Sequence, residues 1–314
     1  MNIVVLDSKT LGEDLDLSAL NEFGTVVNYP TTNTTEVFDR LKNAEVIVVN
    51  KVKITKEVID NAPNLKLICE TATGYDNIDT KYCKGKGIAV TNTPAYSVHS
   101  VALLTVSMVC ALMTHLKEYS QFVYNGEYQK STSANKLTPV YHELNGLTWG
   151  IIGFGNIGKA VGKVATAFGC NLLVNKQTPI EGFNCVDVDT LIEKSDIITI
   201  HCPLTEKTRN LINEKRLEKA KKNAIIVNVA RGGVWDENAV ANAILNDKIG
   251  GVGCDVFTTE PMPENHPFNK LLTSNNVILT PHMAWGAYEA RKRCFDIVIE
   301  NIKAFLKGEN KNRV

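Results

Sequence analysis

Short apolar runs rich in β-branched residues alternate along the chain with stretches in which apolar residues recur every three or four positions. The runs at Ile3–Leu6, Val46–Val49, Leu65–Cys69 and Ala89–Thr91 read as strands. So do Leu172–Val174, Ile197–His201, Ile225–Val229, Gly253–Val256 and Val277–Thr280 further on. Each run is almost uninterrupted, the pattern of strands buried on both faces. Helical stretches lie between most of them, which predicts α/β architecture: two Rossmann-like, doubly wound parallel-sheet domains. A helical pattern from Ser100 to about Tyr124 is expected to link the domains, and another from Ala287 to Leu306 closes the sequence. If that last helix returns to the first domain, the domains are 1–99 plus 287–314 and 100–286. The site is then expected in the cleft between them. The polar stretch 124–143 reads as an exposed loop.

The most informative local pattern is Gly150-Ile151-Ile152-Gly153-Phe154-Gly155-Asn156-Ile157-Gly158. Gly153, Gly155 and Gly158 have the spacing of a dinucleotide-binding turn between a strand and a helix. The first glycine permits the tight turn, the second close approach to a pyrophosphate, the third close helix–strand packing. The unpaired N–H groups of the helix start then receive the pyrophosphate. The same spacing also occurs as a plain structural turn without a ligand. The apolar run before it and the helical periodicity after it favour the cofactor reading.

Composition narrows the partners. Thirty-four basic residues balance 34 acidic ones, so no net field draws nucleic acid or an anionic membrane. Hydrophobic content of 44% and charge of 22% suit a globular protein with sizeable cores, and 314 residues suggest two domains. The opening "NIVVLD" reads as a strand rather than a leader, and Val101 to Met113 is too short to span a bilayer. Eight scattered cysteines form no CxxC pair or zinc-like grouping with histidine, so no metal is expected. Thiols inside apolar strands point to a reducing, cytoplasmic setting.

Three residues sit just beyond consecutive strand ends after the glycine motif: Arg231 in "NVARGG", Glu260 in "DVFTTEP" and His282 in "LTPHMAW". Parallel α/β sheets place ligands at that edge. An arginine, a carboxylate and an imidazole beside a dinucleotide suit hydride transfer to a 2-oxo acid. Arg231 could fork onto the substrate carboxylate, and His282 could protonate the developing alkoxide. Glu260 could hold the other imidazole nitrogen. Singly, each residue type in such a place is more often a loop or surface residue; at consecutive strand ends the three together are a much stronger signal.

Together these motifs resemble the D-isomer-specific 2-hydroxyacid dehydrogenase family, over about Lys51 to Arg293. The arginine, glutamate and histidine motifs are similar to the family's, which implies Arg231, Glu260 and His282 as the catalytic set. "HCPLTEKTRNLIN" resembles the loop flanking the adenosine, implying Cys202, Pro203 and Thr208 at the cofactor. Val229 and Ala230 join them, and Asp255 matches the position near the nicotinamide amide. "ETATGYDNID" resembles the substrate loop, which brings in Thr73 and Gly74, and "VNKVKIT" places Lys51 as a supporting charge. "PHMAWGAYEAR" and "NTPAYSVHSVA" are most similar to the glycerate dehydrogenase and hydroxypyruvate/glyoxylate reductase branch. The resemblance implies dimerisation through the nucleotide domain. Trp235, Leu103, His99 and Tyr128 depart from the residues usual in the family.

The cofactor is expected to be NAD(P). NAD-specific sites carry an acidic residue about 20 residues after the turn. Here that region reads Asn175-Lys176-Gln177-Thr178, with no carboxylate until Glu181. Lys176 suits a 2′-phosphate instead, so NADP(H) is slightly favoured over NAD(H). The expected activity is NAD(P)-dependent reduction of small 2-oxo acids, glyoxylate or hydroxypyruvate first, by a homodimer. Within the family, D-lactate, branched 2-hydroxy acids or phosphoglycerate are alternatives. A dinucleotide-sensing scaffold without turnover is an alternative of another class.

Overall fold

The computed structural model describes residues 1–314. The backbone divides into two units, Met1–Ser97 with Gly286–Val314, and Val98–Trp285. The first unit runs β1 (Asn2–Val5), β2 (Thr25–Asn28), α1 (Val37–Leu41), β3 (Val46–Val49), α2 (Lys56–Asp60), β4 (Leu67–Glu70), α3 (Thr80–Gly85) and β5 (Ala89–Thr91). Its strands are all parallel, in the order β2-β1-β3-β4-β5. Every residue of β3 and β4 is buried, which explains their unbroken apolar sequence. β2 escapes the sequence reading because it is an edge strand with no buried residue. Such a strand needs no apolar run. The strand order reverses between β1 and β3, the position at which open parallel sheets place ligands.

The second unit runs α4 (Val98–Met113), α5 (Leu116–Tyr124), β6 (Thr148–Ile152), α6 (Asn156–Ala167), β7 (Asn171–Asn175), α7 (Val188–Lys194), β8 (Ile197–Ile200), α8 (Glu214–Leu217), β9 (Ile225–Asn228), α9 (Glu237–Leu245), β10 (Gly251–Cys254) and β11 (Val277–Leu279). Its six parallel strands lie in the order β11-β10-β9-β8-β6-β7. Outside β7, Cys185 makes a single parallel bridge to Val174. The third strand of the usual dinucleotide fold is therefore reduced here to one bridge. The order reverses between β6 and β8, beside the glycine turn.

The helix expected from Ser100 to about Tyr124 is two helices, α4 and α5, bent by 67°. His115 takes a left-handed φ of 51°, and Thr114 Oγ1 bonds back to Cys110 O at 2.7 Å, so the helical ladder stops there. The pattern runs on across the break because burial changes rather than period. α4 buries one face, including Val101, Met108 and Val109, whereas α5 has no buried residue. No single helix is long and apolar enough to cross a membrane.

The final helix, α10 (Tyr288–Leu306), belongs to the first unit. It packs on β4, where Cys294 Sγ donates to Thr71 O at 3.2 Å. Asn301 Nδ2 donates to Asn92 O at 2.9 Å, tying the helix to the segment after β5.

Candidate active site

The glycine turn leaves β6 and starts α6. Gly153 has φ +91°, and a Cβ on it would lie 2.5 Å from the Cys202 nitrogen. A Cβ on Gly158 would overlap the Gly153 carbonyl oxygen. Both positions thus require glycine, one for conformation and one for close packing. Gly155 differs: a Cβ there would meet nothing. Its open side lies at the start of a 12-residue helix that has no side-chain cap. The exposed first turn, with Asn156 and Ile157, offers uncapped N–H groups and a positive dipole end beside open space. A dinucleotide pyrophosphate fits that cradle.

The other residues expected at the cofactor lie past neighbouring strands of the same sheet. Lys176 is exposed immediately after β7. Cys202 and Pro203 follow β8. The Cys202 thiol is buried, and that burial pushes its pKa up to about 11, so it serves as packing and not as a nucleophile. Thr208 closes its own loop: its Oγ1 donates to Pro203 O at 2.6 Å and accepts from the Thr205 amide at 2.7 Å. His201 lies beside them with both ring nitrogens buried and without hydrogen-bond partners. Burial lowers its pKa to about 3, so the ring is neutral.

Arg231 follows β9 and is held by a side chain the sequence reading overlooked. Asn228 Oδ1 accepts from the Ala230 amide at 3.0 Å, and Asn228 Nδ2 donates to Arg231 O at 3.0 Å. Val229 is buried beneath this turn. Arg231 NH1 donates to Ala230 O at 2.8 Å. The next residue, Gly232, is pressed against the loop after β10: a Cβ on it would overlap the Phe257 carbonyl carbon and the Thr258 nitrogen. The loops carrying Arg231 and Glu260 therefore touch backbone to backbone.

Glu260 and His282 meet directly. Glu260 Oε2 lies 2.6 Å from His282 Nδ1, and Glu260 Oε1 accepts from the Phe257 amide at 3.0 Å. Both side chains are partly exposed, 29% for the glutamate and 23% for the histidine, so solutes can reach the pair. His282 has a left-handed φ of 52°, uncommon for a residue with a Cβ. Its turn is stapled by Asp255 at the end of β10. Asp255 Oδ1 accepts from Thr280 Oγ1 at 2.6 Å and from the Met283 amide at 2.8 Å, while Oδ2 accepts from the Ala284 amide at 2.8 Å. Burial raises the Asp255 pKa, and the Thr280, Ala284 and Met283 hydrogen bonds oppose the rise. Ser100 of α4 braces the same turn, donating to Ala284 O at 2.6 Å. A carboxylate after a strand signals a site, but its use as a staple depends on the geometry of the next turn.

The residues expected to bind substrate belong to the first unit. Lys51 follows β3, with its side chain exposed and its amide bonded to Asp7 Oδ2 at 2.6 Å. Asp7 also takes the Asn50 amide at 2.9 Å, so this carboxylate shapes the turn that presents Lys51. Thr73 and Gly74 follow β4. Thr73 Oγ1 donates to Thr93 O at 2.9 Å, and Thr73 O accepts from Asn92 Nδ2 at 2.8 Å.

Comparison with known proteins adds a family to this geometry. Residues 106–284 match "D-isomer specific 2-hydroxyacid dehydrogenase, NAD binding domain". The chain is 36% identical to a hydroxypyruvate reductase of Blautia hydrogenotrophica, over 100% of this chain and 99% of that protein. Among solved structures, a D-lactate dehydrogenase from Aquifex aeolicus complexed with NAD and lactic acid superposes with a TM-score of 0.86. It is 33% identical, covering 98% of this chain and 96% of that one. An acyclic imino acid reductase in complex with NADPH and D-Arg has a TM-score of 0.89 and 30% identity, covering 100% of both chains.

Proposed function

The chain belongs to the D-isomer-specific 2-hydroxyacid dehydrogenase family, and we propose that within it the protein reduces small 2-oxo acids to D-2-hydroxy acids, with glyoxylate and hydroxypyruvate as its preferred substrates. The observation that carries this reading is the 2.6 Å contact between Glu260 and His282, partly exposed beside the Arg231 loop. The similarity to a hydroxypyruvate reductase over the full chain supports the substrate choice. The stereochemistry follows from the family.

A bound nicotinamide dinucleotide supplies the hydride. Arg231 grips the substrate carboxylate with its guanidinium and polarises the neighbouring carbonyl. Lys51, Thr73 and Gly74 are the proposed substrate-binding residues of the first unit, offering charge and backbone N–H groups. His282 donates its Nδ1–H to Glu260, and in the imidazolium the second proton sits on Nε2. The ring delivers that second proton to the oxygen on which negative charge develops. Glu260 accepts the Nδ1–H and so fixes the ring orientation.

NADP(H) is the proposed preference. Lys176 stands where a 2′-phosphate would need a cation, and no carboxylate follows until Glu181. A homodimer is proposed from the exposed apolar side chains of α5 and the segment after it, including Tyr124 at 85% and Leu137 at 77%. All eight cysteines are free and six are buried, which fits a cytoplasmic, reducing setting. The test is oxidation of NADPH and NADH against a panel of 2-oxo acids. Turnover should be highest with glyoxylate or hydroxypyruvate. Cofactor binding without turnover on any acid would point instead to a dinucleotide sensor.

A further inference from the structure

Two consecutive amides precede Glu260, and each is held by a different carboxylate. The Phe257 amide donates to Glu260 Oε1 at 3.0 Å, and the Thr258 amide donates to Glu237 Oε1 at 2.8 Å. Glu237 is the first residue of α9, 23 positions before Glu260, and its side chain is only 11% exposed. Its second oxygen lies 3.0 Å from His266 Nε2, at an angle too oblique for a well-formed hydrogen bond. His266 is itself buried, with its side chain 4% exposed. Its Nδ1 accepts from the Phe268 amide at 3.2 Å, which places the neutral ring's proton on Nε2, facing Glu237. The imidazole also meets the Phe257 ring edge-on, with centroids 5.5 Å apart, and the Phe268 ring at 5.1 Å.

A buried carboxylate in contact with a buried imidazole costs desolvation, and an apolar pair could fill the same volume. What an apolar pair could not do is accept the Thr258 N–H. We infer that Glu237, backed by His266, is a positioning residue for the proton-transfer pair. It fixes the Phe257–Thr258 backbone so that the Phe257 amide aims Glu260 at His282. Glu237 takes the amide of Thr258, His266 clamps the ring of Phe257, and Gly232 closes the remaining side through its backbone contact. The three features restrain one dipeptide, and that dipeptide restrains the glutamate. This inference rests on the proposed roles of Glu260 and His282.

The test compares Glu237→Ala, Glu237→Gln and Glu237→Asp with wild type. Glyoxylate and NADPH serve as probes, and folded enzyme is counted by stoichiometric NADPH binding. Glu237→Ala should lower kcat about tenfold or more with little change in KM, the scale of a misplaced catalytic group. Its solvent deuterium isotope effect on kcat should rise, because proton delivery slows; a smaller folded fraction does not move that ratio. Glu237→Gln keeps an oxygen for the Thr258 amide but turns its NH2 toward the His266 Nε2–H, so its turnover should lie between those of Ala and wild type. Glu237→Asp keeps the helix start and the charge but falls short of the amide, so it should resemble Ala even if Ala fails to fold. Wild-type kcat and isotope effect in Ala or Asp would overturn the positioning role. If Glu260→Gln and His282→Ala also keep full turnover, the proposed function fails instead.

Discussion

Gly232 and Phe257 are packed so closely that any side chain at 232 would overlap the Phe257 carbonyl carbon. This contact sets the spacing between the loop that carries Arg231 and the loop that carries Glu260. Gly232→Ala should force the two loops apart and lower kcat/KM for a 2-oxo acid by about a hundredfold, the cost of displacements near 1 Å in a reacting geometry. NADPH binding should weaken far less, since the glycine turn after β6 is a separate segment. A Gly232→Ala enzyme with wild-type kcat/KM would show that the loops tolerate the shift.

Asp255 holds the histidine turn through three donors at once. Asp255→Ala leaves Thr280, Met283 and Ala284 without that acceptor and should cost about 1–3 kcal/mol of stability for a buried group left unsatisfied. Turnover should fall further than stability explains, because His282 would lose its left-handed placement. Denaturant titration beside kcat measurement separates the two effects. Equal stability with unchanged kcat would mean that Ser100 and the backbone suffice to hold the turn.

Glu70 offers a test of stability against pH. It ends β4 fully buried, with Oε2 accepting from Asn77 Nδ2 at 3.0 Å and Oε1 without a partner. Desolvation raises its pKa well above the ordinary carboxylate value, outweighing the Asn77 hydrogen bond. A carboxyl whose pKa is raised by folding contributes its full stability below the unfolded pKa. That contribution is lost as pH rises through the folded value. Glu70→Gln removes the titration. Its melting temperature relative to wild type should therefore rise between pH 5 and pH 8. A gap that stays constant or shrinks over that range would mean that Glu70 is ionised in the folded protein.

The proposed cofactor preference rests on Lys176. NADPH should give the higher kcat/KM in wild type, and Lys176→Asp should shift preference to NADH by repelling the 2′-phosphate and accepting from ribose hydroxyls. Equal use of both cofactors by the wild type would remove the lysine from the argument.

The sequence was most legible where burial left an unbroken apolar run or where chemistry demanded a residue type. β3, β4, β8 and β9 are buried throughout and stand out in the sequence, as do the three glycines that shape the turn after β6. The edge strand β2 buries nothing and leaves no trace. The break at His115 is invisible because α5 keeps helical periodicity after the backbone turns left-handed. Arg231, Glu260 and His282 were visible as types at strand ends. Of the residues that hold them, Asn228 acts within its own turn, while Asp255 and Glu237 act through amides of neighbouring loops, and no spacing in one sequence encodes which loop will be the neighbour.

The central claim is that His282, oriented by Glu260, protonates the substrate oxygen as hydride arrives. The most direct test is kcat of His282→Ala with glyoxylate and saturating NADPH, alongside NADPH affinity. The expected result is a fall in kcat of about a hundredfold or more, the size of a general-acid contribution, with affinity for the dinucleotide retained. Undiminished turnover in that variant would contradict the account.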